Sequence, residues 1–293
     1  MAFHTITASS ANQLLLFGGD PGPTTALSTQ NDSAAILDLA TGDTGTWSLQ
    51  ADGWASEPMR RQYHAATLYN SQVVITGGEK VDGSDFGFKD TYLFTPNPTS
   101  TPTFSQLSTS YDGPDFVGHA ALALPNGTLL LLGGYSHALQ GLQPLTTLHT
   151  LDIASGTWGQ VTTSPQPDPA PSVPNTTPAD NTPATTTPTD PAPTDNPAPE
   201  SPPASSPTPD PTPEDGWGIP TRRRNFAAVL VGDNQVLIHG GADARLQQAT
   251  GDAFILNLAT CEWKELPKLS QALGDRWGHS AVAVGKSVFF TFG

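Results

Sequence analysis

Leu129-Leu130-Leu131-Leu132-Gly133-Gly134 is an apolar run that stops at two glycines. Three relatives of it recur: Leu14-Leu15-Leu16-Phe17-Gly18-Gly19, Val73-Val74-Ile75-Thr76-Gly77-Gly78 and Val236-Leu237-Ile238-His239-Gly240-Gly241. A fourth, Val288-Phe289-Phe290-Thr291-Phe292-Gly293, closes the chain. Self-similarity at a period of roughly fifty residues is the mark of a repeat architecture. An uninterrupted apolar run this short reads as a strand buried on both faces.

Upstream of each run lies a strand of small residues that opens at a histidine: His4-Thr5-Ile6, His64-Ala65-Ala66, His119-Ala120-Ala121 and His279-Ser280-Ala281. Asn225-Phe226-Ala227 is the fifth opening, with Asn in the histidine's place. Thirteen or 14 positions separate each histidine from the first glycine, and 15 separate Asn225 from Gly240. Polar turns such as Asn70-Ser71-Gln72 and Pro125-Asn126-Gly127 join the two strands into an antiparallel hairpin. After the glycines come a longer loop and a third strand (34–39, 91–95, 148–153, 254–258). A turn then leads to a fourth strand carrying Trp47, Phe104, Trp158 or Trp263. One large aromatic per unit is expected to pack between neighbouring sheets. Four antiparallel strands per repeat predict an all-β propeller of four complete repeats and one half.

The histidine strand, the glycine pair, the Leu37-Asp38 and Leu151-Asp152 pairs and the later aromatic together resemble kelch repeats. Arg60 and Arg61 before His64, and Arg276 before His279, fit the same pattern. The resemblance covers 1–160 and 217–293 and implies a kelch-type β-propeller like the central domain of galactose oxidase. Kelch propellers usually close six or seven blades. The chain is therefore expected to be a piece of a larger ring, because an open one leaves unpaired strand edges. The organisation read from sequence is repeats 1–3 over 1–160, an insert over 161–216, and repeat 4 with the first half of repeat 5 over 217–293.

The insert differs in composition. Eighteen of the 29 prolines lie in 164–215, among Thr, Ser, Ala and Asp. With almost nothing apolar to bury, such a segment cannot offset its ordering entropy and is predicted to be an extended coil. Its composition also suits an O-glycosylated stalk. N-glycosylation sequons stand at Asn31, Asn126 and Asn175. Together these lean towards an extracytoplasmic setting, the alternative being an unmodified linker in a cytoplasmic protein.

Twelve basic and 27 acidic residues give a net charge of −15, which disfavours nucleic acid and anionic membranes as partners. The triplet Arg222-Arg223-Arg224 is too short to reverse that. No apolar run reaches the roughly 18 residues of a membrane span, and the first residues have no signal-peptide pattern. Cys261 is the single cysteine, so no internal disulfide forms.

Strand alternation places the loops after the glycines, and those between repeats, on one side. Long loops on a rigid scaffold are where binding residues gather. The candidates there are Trp54, Phe86, Tyr111, Phe116, Trp217 and Trp277, with Arg223 and Arg276 as cationic anchors. The competing reading of each is a cap on a blade core. Once-per-blade histidines read as structural, each satisfying a buried hydrogen bond to neighbouring backbone, with Asn225 able to do the same. No phosphate loop, zinc signature or nucleophile elbow is present. A copper radical oxidase similar to galactose oxidase is the alternative. That family's Tyr–Cys crosslink, second Tyr and two His have no matching positions, since Cys261 falls in a turn on the opposite side. The sequence thus points to non-catalytic binding of a protein or glycan ligand, with no cofactor.

Overall fold

A computed structural model describes residues 3–10, 12–20, 34–40, 45–49, 54–82, 84, 86–97, 101–107, 111–167, 218–267 and 274–291. Three four-stranded antiparallel sheets, a fourth whose four antiparallel strands carry one short parallel edge strand, and one hairpin follow one another along the chain. Blade 1 comprises Thr5–Ser10, Gln13–Phe17, Ala34–Asp38 and Thr46–Leu49, and blade 2 Ala65–Tyr69, Gln72–Thr76, Thr91–Thr95 and Thr103–Gln106. Blade 3 comprises Ala120–Ala123, Thr128–Leu132, Thr147–Asp152 and Thr157–Thr162. Blade 4 holds Ala227–Val231, Gln235–His239, Ala253–Asn257 and Glu262–Glu265, and the fifth hairpin Ser280–Val284 and Ser287–Thr291. The first strands of successive blades lie side by side, as inner strands about an axis do. No helix among the described residues is long and apolar enough to cross a membrane.

In blades 2 to 4 the apolar run is buried on both faces because each of these sheets is sandwiched between two others. Leu130 and Leu132 pack towards blade 4, against Val236, Ile238 and Trp263. Leu129 and Leu131 pack towards blade 2, against Val74 and Ala65. Each such side chain contributes about 1.5–3 kcal/mol by leaving water. In blades 2 to 4 the fourth-strand aromatic meets the blade before it. Phe104 of blade 2 reaches Phe17 of blade 1 at 6.2 Å between ring centroids. Trp263 of blade 4 donates from Nε1 to the Leu145 carbonyl and to Thr163 Oγ1 of blade 3, at 3.1 and 3.0 Å. Trp47 departs from the expected packing. No blade stands before its own among the described residues, and it is exposed together with Ile6 and Leu49.

The glycine pair is a docking joint between blades. The second glycine donates its N–H to the next blade: Gly19 to Arg61 O, Gly78 to Phe116 O, Gly134 to Arg223 O and Gly241 to Arg276 O, at 2.7–2.9 Å. Three positions beyond each of these acceptors stand His64, His119, Phe226 and His279, whose rings cover the first glycine. Both glycines have positive φ, and a Cβ on the first would strike that ring and the acceptor carbonyl.

This alignment corrects the fifth opening. Phe226, not Asn225, stands in the histidine's place, and it lies 14 positions before Gly240, in line with the others. Asn225 belongs with Phe3, Tyr63, Gly118 and Gly278, the left-handed residues that precede each ring. Asn tolerates that conformation better than most. The ring hydrogen bonds differ from expectation too. His64 Nε2 meets Thr5 Oγ1 at 2.8 Å, His279 Nε2 meets His239 Nδ1 at 2.9 Å, and neither nitrogen of His119 has a partner. What repeats is the ring's packing over glycine.

Contacts group 1–166 with 215–293 into one unit and 167–214 into another. The sequon residues Asn31 and Asn175, like Trp217, lie outside the described residues. Asn126 is exposed at a hairpin tip, its Oδ1 accepting from Thr128 N at 3.1 Å. Before the insert, Ser164–Pro165 pairs in parallel with Glu262–Trp263. After it, Gly218 returns against Pro165, within 3.1 Å of an added Cβ. The chain therefore leaves and re-enters the first unit at one place. Replacing 168–217 by a linker about one tenth as long is expected to raise the unfolding free energy by about 2 kcal/mol, the loop-closure difference. A urea midpoint that falls instead would show that the segment itself holds the blades.

Candidate functional site

The N-terminal ends of the five inner strands converge on one mouth. Phe3 and His4, Tyr63 and His64, Gly118 and His119, Asn225 and Phe226, and Gly278 and His279 line a cavity of about 160 Å³ there. Backbone bonds run round it: Gly118 N donates to Tyr63 O, Asn225 N to Gly118 O and Gly278 N to Asn225 O, at 2.7–2.8 Å. Left-handed geometry at these five positions turns the backbone so that the chain of bonds can form. A second, larger cavity of about 610 Å³ adjoins it between Phe3, His4, Ala249 and 275–278.

Three buried arginines surround this region, and two are neutralised. Arg61 grips Asp90 bidentately, Nη1 to Oδ1 at 2.5 Å and Nη2 to Oδ2 at 3.1 Å, and donates to the Gly77 carbonyl at 3.0 Å. Arg223 repeats the arrangement with Asp252 at 2.5 and 2.9 Å and the Gly240 carbonyl at 3.0 Å. Burial alone would raise the Asp252 carboxyl, but the Arg223 bond and charge hold it below the ordinary range. These are clamps that tie the glycine loops to the third strands.

Arg224 is different. It is only 6% exposed. Its Nε donates to Asn225 Oδ1 at 3.3 Å, and its Cζ sits 4.9 Å from the Tyr63 ring centroid and 5.7 Å from that of Tyr135. Among the described residues no carboxylate pairs with it and its Nη groups have no hydrogen-bond partner. Burial lowers its pKa from the usual guanidinium value, and of the charges acting on it Glu79 is the strongest. A desolvated cation held between two ring faces, without a counter-ion, is poised to take an anion.

Glu79 is engaged elsewhere. Its Oε2 meets His137 Nε2 at 2.7 Å, and its Oε1 accepts from Gln62 Nε2 at 3.0 Å. Asp115 fastens the loop that carries His137, accepting from Ser136 Oγ, His137 N and Ala138 N at 2.7–3.0 Å. Burial would raise Asp115, but these bonds lower it. The loops of blades 2 and 3 are thus stitched into one rim. Phe3, Met59, Phe86 and Leu139 stand exposed on that side of the blades, and Lys80 Nζ lies 4.8 Å over the Phe86 ring.

Of the residues singled out from sequence, Phe86 is exposed, while Arg276 and Trp277 are half-buried and line the larger cavity. Trp54, Phe116 and Arg223 are not on the surface. Trp54 lies in the core between blades 1 and 2, and Phe116 in that between blades 2 and 3. Arg223 is spent on Asp252. Tyr111 is half-buried in an aromatic stack, 4.1 Å from Trp158 and 5.7 Å from Phe116, with its hydroxyl 2.9 Å from His149 Nδ1. Cys261 sits in the turn between the third and fourth strands of blade 4 at positive φ. No group of three metal-ligating side chains occurs among the described residues. Arg224, Glu79, His137, Met59 and Leu139 escaped sequence reading.

The family model for the KLHDC2/KLHL20/DRC7 Kelch-repeats domain matches residues 1–182, and that for the Kelch motif matches 223–270. The chain is a kelch-repeat protein. No curated protein matches it. Kelch repeats are commonly protein-binding scaffolds and typically non-enzymatic.

Proposed function

We propose that the domain is a non-catalytic binding module that captures a protein partner on its long-loop face. A carboxylate of the partner seats on Arg224, and apolar partner side chains settle against Phe3, Phe86 and Leu139, with Trp277 and Arg276 at the edge. The observation that carries this reading is Arg224 itself, buried against Asn225 and Tyr63 of the mouth without a counter-ion while Arg61 and Arg223 each have one. A buried charge costs free energy unless it is paired, so the site retains a demand that a ligand carboxylate meets. A carboxylate also suits an acidic domain poorly at long range, so the contact is short-range and specific rather than steered.

Peptides selected from a random library against the immobilised chain are expected to share an acidic group flanked by apolar residues. Arg224→Gln is expected to weaken them by at least about tenfold, and Phe86→Ser with Leu139→Ser by a similar factor. Selected peptides that bind both variants as well as the parent would sink the assignment.

A further inference from the structure

Blade 1 presents a whole sheet face to solvent. Across its four strands the register aligns Ile6, Leu16, Ala35 and Leu49 in one row. Ala8, Leu14, Leu37 and Trp47 form the next row, two residues along each strand. Side chains of a strand alternate between faces, so both rows lie on the side turned away from Leu15, Phe17, Ala34 and Ile36, which pack towards blade 2. Every position in the two rows is apolar, and Ile6, Trp47 and Leu49 are 58%, 49% and 68% exposed. An open apolar sheet face of this kind marks an interaction site. We propose that it is a self-association surface, on which the blade 1 face of a second copy seats about a two-fold axis.

The repeat itself shows what such a face takes. In blade 2 the corresponding places hold Val73, Ile75, Phe94 and Phe104, and the flat apolar face of blade 1 covers them. The occupant is therefore another flat, uncharged sheet face rather than a helix or a charged loop. Among the described residues two such faces stand open: this one, and the side of the fifth hairpin that exposes Val282, Val284 and Phe289. A second copy joined to that hairpin as a following blade would carry its other blades round the same axis, where the first copy's blades already stand. Blade 1 against blade 1 avoids that clash, because a two-fold axis turns the rest of each chain outwards. Trp47 of each copy then lies on the rows of the other, as Phe104 lies on blade 1.

Four strands about 4.8 Å apart and rows about 7 Å apart give a flat footprint of roughly 300 Å² per copy. A stable complex buries about 800 Å² per partner. The dimer is therefore weak, with a Kd on the order of 100 µM, and the dilute chain is a monomer with Trp47 exposed. Each chain carries a net charge of −15, whereas nothing on the two rows is charged. The copies repel at long range, and salt tightens the contact by screening that repulsion.

The test is sedimentation equilibrium of the whole chain between about 5 and 500 µM, a range that brackets the expected Kd. Monomer is expected at the low end and dimer at the high end, with nothing larger, because a two-fold contact closes at two copies. Trp47→Glu and Leu49→Asp each place a charge on the face and are expected to weaken the dimer at least about tenfold. Both side chains are exposed in the monomer, so the urea midpoints of the dilute variants should match the parent's. Val282→Asp, on the fifth hairpin, should leave the dimer unchanged. A chain that stays monomeric throughout overturns the proposal, as does a dimer that survives both blade 1 variants. A Kd that rises with salt would put charges in the contact and overturn it too. Growth beyond the dimer that Val282→Asp stops would show head-to-tail joining in place of the two-fold.

Discussion

Trp263→Ala is expected to cost about 4–5 kcal/mol of unfolding free energy, whereas Trp47→Ala, at the equivalent place in blade 1, costs about 0.5 kcal/mol. The two residues occupy the same position in the repeat and the same strand. Trp263 is fully buried and bonded to Leu145 O and Thr163 Oγ1 of the blade before it. Its removal leaves a cavity against Leu130, Leu132 and Leu148 and strips one partner from a buried hydroxyl. Trp47 is 49% exposed because the blade it would meet is missing from the described chain. Urea titrations of both variants at neutral pH read the difference. A Trp47→Ala loss as large as that of Trp263→Ala would mean that something covers the blade 1 face in solution.

The contrast also explains what sequence could convey. The glycine pairs and their spacing were legible because they answer a local need, positive φ and no Cβ where the next blade docks. At the fifth opening residue type points to Asn225, whereas spacing points to Phe226. Asn resembles His in its hydrogen bonding, yet Phe226 keeps the 14-residue interval and fills the same volume over Gly133. The histidine position selects for a flat ring, and hydrogen bonding is incidental to it.

Burial of the long-loop residues was not legible, because it depends on which neighbour a loop folds against. Trp54 and Phe116 look like exposed loop aromatics until the next blade closes over them. One signal did lie in the sequence. Arg61 and Asp90 are 29 residues apart, and so are Arg223 and Asp252. The same step from Arg224 reaches Ala253, so within the basic triplet the repeat itself marks Arg223 as paired and Arg224 as spare. Glu79 and His137 left no such trace, since their meeting joins loops of two blades.

The histidines that cover the glycines predict an acid-labile domain. Burial lowers His64 and His119 to about 3 and His279 to about 4, with neighbouring arginines adding to the effect at His64 and His279. In the unfolded chain they titrate near 6.5. Between those limits the unfolded state binds protons that the native state refuses, so stability falls as pH drops from about 6.5 towards 4. Three such groups give a slope of up to about 4 kcal/mol per pH unit near pH 5. The depressed carboxyls Asp115 and Asp252 act in the same direction but only from the ordinary carboxylate pKa downwards, so the histidine window is seen first. Replacing His119 by Phe, the residue that stands at 226, should cost little at pH 7, because neither imidazole nitrogen has a partner to lose. It should also lower the slope by about 1.4 kcal/mol per pH unit, one group's share. Denaturant titrations at pH 7, 6 and 5 on parent and variant decide the matter. Stability that is flat across that range would show that the rings take up protons in the folded state, and that the joints between blades are wetter than their burial implies.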